Sequence, residues 1–157
     1  MAHILLVDDQ HFTREFLLNE LTQMGHDVSC VNDGDALFVF LEENTPDLVL
    51  LDPNLNGFKG WDLLREIKRP GRPLIPTILF PSFEATLLDD RSFLADGYVV
   101  KSVDTEKLKE KVSEVLTACK NPVSNHQSWS GPTQQVPSVA PGRFLLTAQG
   151  DKTHGRP

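Results

Sequence analysis

The sequence predicts one α/β domain, a parallel sheet covered by helices on both faces, followed by a disordered tail. Three observations carry that reading. Short apolar runs without polar alternation recur along the first part of the chain, which is the pattern of strands buried on both sides. Segments with apolar residues at helical spacing lie between them, and strand–helix alternation gives parallel neighbours because right-handed crossovers place helices on the sheet faces. Composition then breaks near Asn121, after which five prolines, four glycines and many Ser, Thr, Asn and Gln residues follow.

The first strand is read at residues 4–7, Ile-Leu-Leu-Val. The next segment places Phe12, Phe16, Leu17, Leu21 and Met24 on one helical face, and Gly25 follows as its C-terminal cap. A second strand at 28–31 leads to a helix carrying Ala36, Leu37, Phe40 and Leu41. The third strand is Leu48–Leu51, followed by a short helix with Leu63, Leu64 and Ile67, and Trp61 packs at its start. The fourth strand is read at 77–80 and the fifth at 97–100. Only 16 residues, 82–97, separate Pro81 from Tyr98, which leaves room for a short or irregular helix. A last helix buries Leu108, Val112, Val115, Leu116 and Cys119, with Asp104 or Thr105 placed to cap it.

These elements occupy residues 1–120, the expected domain. Residues 121–157 form the expected Pro/Ser/Gln-rich tail, whose sparse apolar content does not repay the cost of ordering, about 1–2 kcal/mol per residue. The tail holds Arg143, Lys152 and Arg156 against Asp151, a net of +2, so the folded part carries −9 of the chain's overall −7. No Lys/Arg-rich run is present, and direct nucleic-acid binding is not expected. No apolar stretch approaches the roughly 20 residues of a membrane span, and the start lacks a leader pattern, so the expected location is the cytoplasm. Cys30 and Cys119 are too few for a disulfide framework and are read as reduced thiols. His3, His11 and His26 are scattered at element boundaries and are read as solvated or structurally bonded rather than metal-ligating.

Ligands of such sheets bind at the carboxyl ends of the strands. There the first strand runs into Asp8 and Asp9, the third into Asp52 and the fifth into Lys101. Carboxylates converging on one edge repel and raise each other's pKa unless a cation sits among them. Mg²⁺ suits this inventory, since it takes oxygen ligands octahedrally and is usually held by one or two carboxylates plus a phosphate. Lys101 adds a compact charge for a further phosphate oxygen.

At these residues the chain resembles the response-regulator receiver family: Leu5-Leu6-Val7-Asp8-Asp9, the run Asp52-Pro53-Asn54-Leu55-Asn56-Gly57-Phe58-Lys59-Gly60, and Gly97-Tyr98-Val99-Val100-Lys101, in family order over residues 3–119. The resemblance implies a flavodoxin-like (βα)5 three-layer sandwich with strand order 2-1-3-4-5. It implies a two-component response regulator in which Asp52 accepts a phosphoryl group from a sensor histidine kinase or a histidine phosphotransfer protein. Asp8, Asp9, Asp52 and the backbone carbonyl of Asn54 then hold Mg²⁺, Lys101 contacts the phosphoryl group, and Tyr98 is the aromatic that moves on activation. Output falls to a downstream protein, because nothing after residue 120 is read as an effector domain. Such a protein is not an enzyme beyond hydrolysis of its own aspartyl phosphate.

Four departures from the family pattern stand out. Pro81 occupies the place of the switch Thr or Ser and has neither hydroxyl nor N–H, with Ser82 as a substitute one residue along. Ser102 replaces the proline that commonly follows the lysine, and Asn56 replaces the proline of the loop after the acceptor. The fourth helical segment is short. Pro81 keeps open a second reading, a phosphorylation-independent pseudo-receiver that serves as an interaction module. Retention of Asp8, Asp9, Asp52 and Lys101 speaks for the first. A metal-dependent phosphatase is a third reading, but it needs a general acid beside Asp52, and Pro53 and Asn54 are not acids.

Overall fold

The computed structural model describes residues 1–57, 60–83 and 90–120. The expected tail at 121–157 lies outside them, as do Phe58, Lys59 and residues 84–89. Five strands, β1 His3–Val7, β2 Asp27–Val31, β3 Leu48–Leu51, β4 Thr77–Leu79 and β5 Gly97–Tyr98, alternate with helices α1 His11–Gln23, α2 Gly34–Glu43, α3 Gly60–Ile67 and α4 Glu106–Lys120. The sheet has the order β2-β1-β3-β4-β5, and every ladder in it is parallel. This is the architecture and strand order read from the sequence.

Side-chain alternation along each strand divides the apolar residues between two cores. Ile4, Leu6, Leu48, Leu50, Ile78, Phe80 and Val99 pack against Leu17 and Leu21 of α1 and against Leu108, Val112, Val115 and Leu116 of α4. Leu5, Val7, Val49, Leu51 and Leu79 face the other way, toward Leu37 of α2 and Trp61, Leu63, Leu64 and Ile67 of α3. Runs without alternation are therefore what two covered faces require. Truncating a central residue such as Leu50 to Ala should cost about 3 kcal/mol, the transfer term plus the cavity left behind.

The helix ends follow local chemistry. Gly25, at φ +84°, ends α1 in a Schellman arrangement: its N–H donates to Thr22 O at 2.9 Å and that of His26 to Leu21 O at 3.3 Å. Asp33 caps α2 by accepting the Ala36 N–H at 2.8 Å. Before α4 the two candidate caps divide the work. Asp104 Oδ1 accepts the Glu106 N–H at 3.1 Å, while the Thr105 hydroxyl turns away to donate to Glu20 of α1 at 2.7 Å.

Three packing expectations are corrected. Phe12 is 86% and Phe16 43% exposed, because the buried stripe of α1 passes through Leu17 and Leu21 and leaves these two rings roughly 100–180° around the helix from those leucines at 100° per residue. Cys119 is exposed as well, in the last turn of α4 beyond the reach of the core. β5 is shorter than expected and β4 ends one residue early. Bonds of ladder type nevertheless continue, from Val99 N to Leu79 O at 2.9 Å and from Lys101 N to Pro81 O at 2.8 Å. In the segment before β5 a 3₁₀ turn, Asp90–Leu94, occupies the described part. Among the described residues no helix is long and apolar enough to cross a membrane.

Candidate functional site

The carboxyl-terminal edge of β1, β3 and β5 brings Asp8, Asp9, Asp52 and Lys101 together. Asp8 and Asp52 leave their strands with backbone N–H groups still on the ladder, bonded to Val31 O at 3.2 Å and Val7 O at 2.9 Å. Their positions are fixed by the sheet rather than by loops. Asp8 is fully buried and Asp52 nearly so, at 2% exposure. Carboxylate oxygens of Asp8, Asp9 and Asp52 all lie within 4.8 Å of one another.

Each of the three acids has one oxygen held by a backbone N–H. Gln10 donates to Asp8 Oδ1 at 2.7 Å, Asn54 to Asp52 Oδ1 at 2.8 Å, and Asn56 to Asp9 Oδ2 at 2.9 Å. Lys101 Nζ enters between the first and third of these residues in the chain. It donates to Asp52 Oδ2 at 2.5 Å and lies 2.6 Å from Asp8 Oδ2. Asp8 Oδ2 is thus a buried oxygen whose close partner among the described residues is that ammonium. Burial pushes the Asp8 carboxyl above its ordinary range, against the pull of Lys101 and of the Gln10 N–H. Burial also works to lower Lys101, but its bonds to Asp52 and Asp8 outweigh this and hold the ammonium above the usual lysine value. One cation against three carboxylates leaves an excess of negative charge in a low-dielectric recess. Those are the properties of a hard-cation site.

Asn54 lies in the loop after Asp52. Pro81 is buried and spends its carbonyl on Lys101, and Ser82 beside it is half-buried. Tyr98 is 51% exposed, with its side chain at the protein surface. Among the described histidines, His3 Nε2 lies 2.9 Å from Ser29 Oγ and His11 pairs with Glu15 at 3.5 Å, whereas His26 Nδ1 is buried without a hydrogen-bond partner, a departure from its reading as solvated or bonded.

Sequence reasoning missed three supports. Arg14 Nη1 donates to the Asp8 carbonyl at 2.6 Å, folding the first turn of α1 back onto the acidic pair. The Lys101 ammonium sits 5.8 Å from the centre of the Phe80 ring. Gly60 starts α3 so close to the acceptor loop that a β-carbon there would lie 2.3 Å from Pro53 Cα. Arg14 and Phe80 carry no signal in the linear pattern; the glycine does, as a residue type that permits close backbone approach.

The model of the response regulator receiver domain matches residues 4–113. The chain belongs to this family. Among curated relatives, this receiver domain is 31% identical over 116 residues to the transcriptional regulatory protein AfsQ1 of Streptomyces coelicolor, covering 74% of this chain and 52% of the relative. The chain thus spans about half the length of the curated relatives it matches. Among solved structures, the response regulator TrrA of Thermotoga maritima in complex with Mg²⁺ and BeF is 33% identical, with TM-score 0.69, covering 73% of this chain and 99% of that one. TrrA in complex with the histidine kinase ThkA gives 34% identity and TM-score 0.68, over 74% of this chain and 99% of that one. This receiver domain therefore has the family's fold as well as its sequence pattern.

Proposed function

We propose that this domain is a phosphoacceptor in two-component signalling and that Asp52 carries the phosphoryl group. The observation that supports this above others is the shared ammonium. Lys101 Nζ lies 2.5 Å from Asp52 Oδ2 and 2.6 Å from Asp8 Oδ2, with a carboxylate oxygen of Asp9 within 4.8 Å of both acids. One oxygen of Asp52 is oriented by the Asn54 N–H and the other faces the cation of Lys101, where an incoming phosphoryl group carries its own negative oxygens. A carboxylate oxygen of Asp52 attacks the phosphorus of a phosphohistidine. The P–N bond breaks and the leaving imidazole keeps its electron pair, so no base is needed at an already ionised acid.

Asp8, Asp9, Asp52 and the Asn54 carbonyl are the groups that would hold Mg²⁺, and three carboxylate oxygens within 4.8 Å of one another fit that role. Bound there, the ion supplies charge neutralisation for the transferred group. The donor is a sensor histidine kinase or a histidine phosphotransfer protein, output is through a downstream protein, and loss of the group by self-hydrolysis and a cytoplasmic location accompany this reading. The groups this chemistry uses all lie within residues 1–120.

Pro81 favours a second reading, the constitutive interaction module, because a buried proline at the switch position has no hydroxyl to offer a phosphoryl oxygen. The deciding experiment is incubation with a small phosphodonor, with and without Mg²⁺, followed by intact mass. One phosphoryl group gained only with Mg²⁺, and lost in Asp52→Ala, supports the phosphoacceptor. No gain under any condition supports the module.

A further inference from the structure

We propose that the backbone N–H of Asn56 is a positioning group for the metal site, holding the Asp9 carboxylate in the orientation in which it takes up a divalent cation. This rests on the reading of Asp8, Asp9 and Asp52 as metal ligands. The N–H bonds that hold Asp8 and Asp52 are local, each arising two residues after the acid it serves. The bond to Asp9 is different, because Asn56 lies 47 residues further along the chain and ties the loop after β3 to the loop after β1.

Asp9 is less buried than its two partners and makes no contact with Lys101 among its described bonds. Its side chain thus depends on this donor more than Asp8 depends on Gln10. An ionised carboxylate has about four acceptor sites, so one N–H at Oδ2 fixes the rotamer and leaves the others for a cation. Rotamer freedom that is lost before the ion arrives is not lost on binding. Hydrogen-bond partners of metal-binding carboxylates commonly govern affinity in this way.

Position 56 is where this chain has Asn in place of the proline usual in its family, and proline has no N–H to give. The Asn side chain is exposed and the bond is made by the main chain. Substitution therefore separates the two: Asn56→Ala keeps the donor and Asn56→Pro deletes it.

The test is calorimetric titration of the full chain with Mg²⁺ alone, without phosphodonor, with thermal melting in EDTA to confirm that each variant is folded. Asn56→Ala should bind within about twofold of the unmodified protein, and Asn56→Pro about tenfold more weakly. Equal affinity in Asn56→Pro overturns the proposal, and so does an equal loss in Asn56→Ala. Absence of any Mg²⁺ binding by the unmodified protein overturns the metal-site reading itself, a separate result. Should Asn56→Pro not fold, amide exchange keeps the question answerable: the Asn56 N–H should be protected in the unmodified protein and lose about tenfold in protection in Asp9→Ala. Unchanged protection in that variant counts against the bond.

Discussion

At the amino-terminal end of the sheet Lys68 lies 2.5 Å from Asp96 Oδ2, and at the carboxyl-terminal end Lys101 lies 2.5 Å from Asp52 Oδ2. The distances match and the surroundings do not. Lys68 also donates to Ile75 O at 2.8 Å, and Asp96 Oδ2 accepts the Thr77 N–H at 2.7 Å. One charge there meets one opposite charge, each with a backbone partner, and the result fastens the end of α3 to the starts of β4 and β5. Lys101 instead stands against two nearly buried acids with a third close by, one positive charge for three negative ones. A closed pair of this kind staples a fold. An open one stores unfavourable charge that a ligand can relieve.

The largest effect expected from this contrast is that of Lys101→Met, which leaves Asp8 and Asp52 facing one another. Denaturant unfolding in EDTA should show a loss of about 3 kcal/mol, and added Mg²⁺ should return part of it. No recovery with Mg²⁺ would mean that the carboxyl-terminal end is as closed as the other. Lys68→Met should cost less, about 2 kcal/mol, because Asp96 is partly solvated and keeps the Thr77 N–H. Phosphoryl uptake and Mg²⁺ response should be untouched in that variant, and a change in either would break the division of labour between the two ends.

Smaller again is the pH response. The raised pKa of Asp8 means that its protonated form is favoured by folding. Its stabilising contribution is present below the ordinary value of 3.8 and lost as pH rises through the higher folded value. Lys101, also raised, contributes below 10.5 and loses that contribution as pH climbs through its folded value. Unfolding of the metal-free protein across the mildly acidic range should therefore show one contribution that declines with pH, which Mg²⁺ offsets. Lys68→Met should keep this slope and Asp8→Ala should lose it.

The smallest expected effect is that of Pro81→Thr, which should leave stability within about 0.5 kcal/mol but enlarge the amide-exchange difference between free and beryllofluoride-bound forms around residues 82–102. The new hydroxyl gives the bound group a contact that depends on conformation. A full response in the unmodified protein would show that Pro81 does not limit the switch.

Much of this was legible before any coordinates. Strand ends could be placed because buried parallel strands leave unbroken apolar runs, and once placed they brought Asp8, Asp9, Asp52 and Lys101 to one edge. What stayed hidden depended on contacts between distant parts of the chain. An apolar residue on a helix marks a face only when the stripe is unambiguous; α1 offers Phe12 and Phe16 as well as Leu17 and Leu21, and the sheet selected the leucines. The N–H of Asn56, the fork of Arg14 and the Lys68–Asp96 staple have no periodic signature. Each is an ordinary polar group until the fold brings its partner near.

The close seating of Gly60 on Pro53 has a consequence for how this loop can change. With a prospective β-carbon only 2.3 Å from Pro53 Cα, the start of α3 works as a spacer gauge, set by the thickness of bare backbone. A side chain there would pry α3 from the acceptor strand. Residues inserted next to either end of the loop would do the same. The loop itself is constrained as well, because the main chain of Asn54 and Asn56 holds Asp52 and Asp9 and Gly57 sits at φ +76°, so that only the exposed side chains of Asn54 and Asn56 are open to change. An engineer altering recognition on this face should therefore keep the length and the main chain of the stretch from Pro53 to Gly60 and vary only the side chains at 54 and 56.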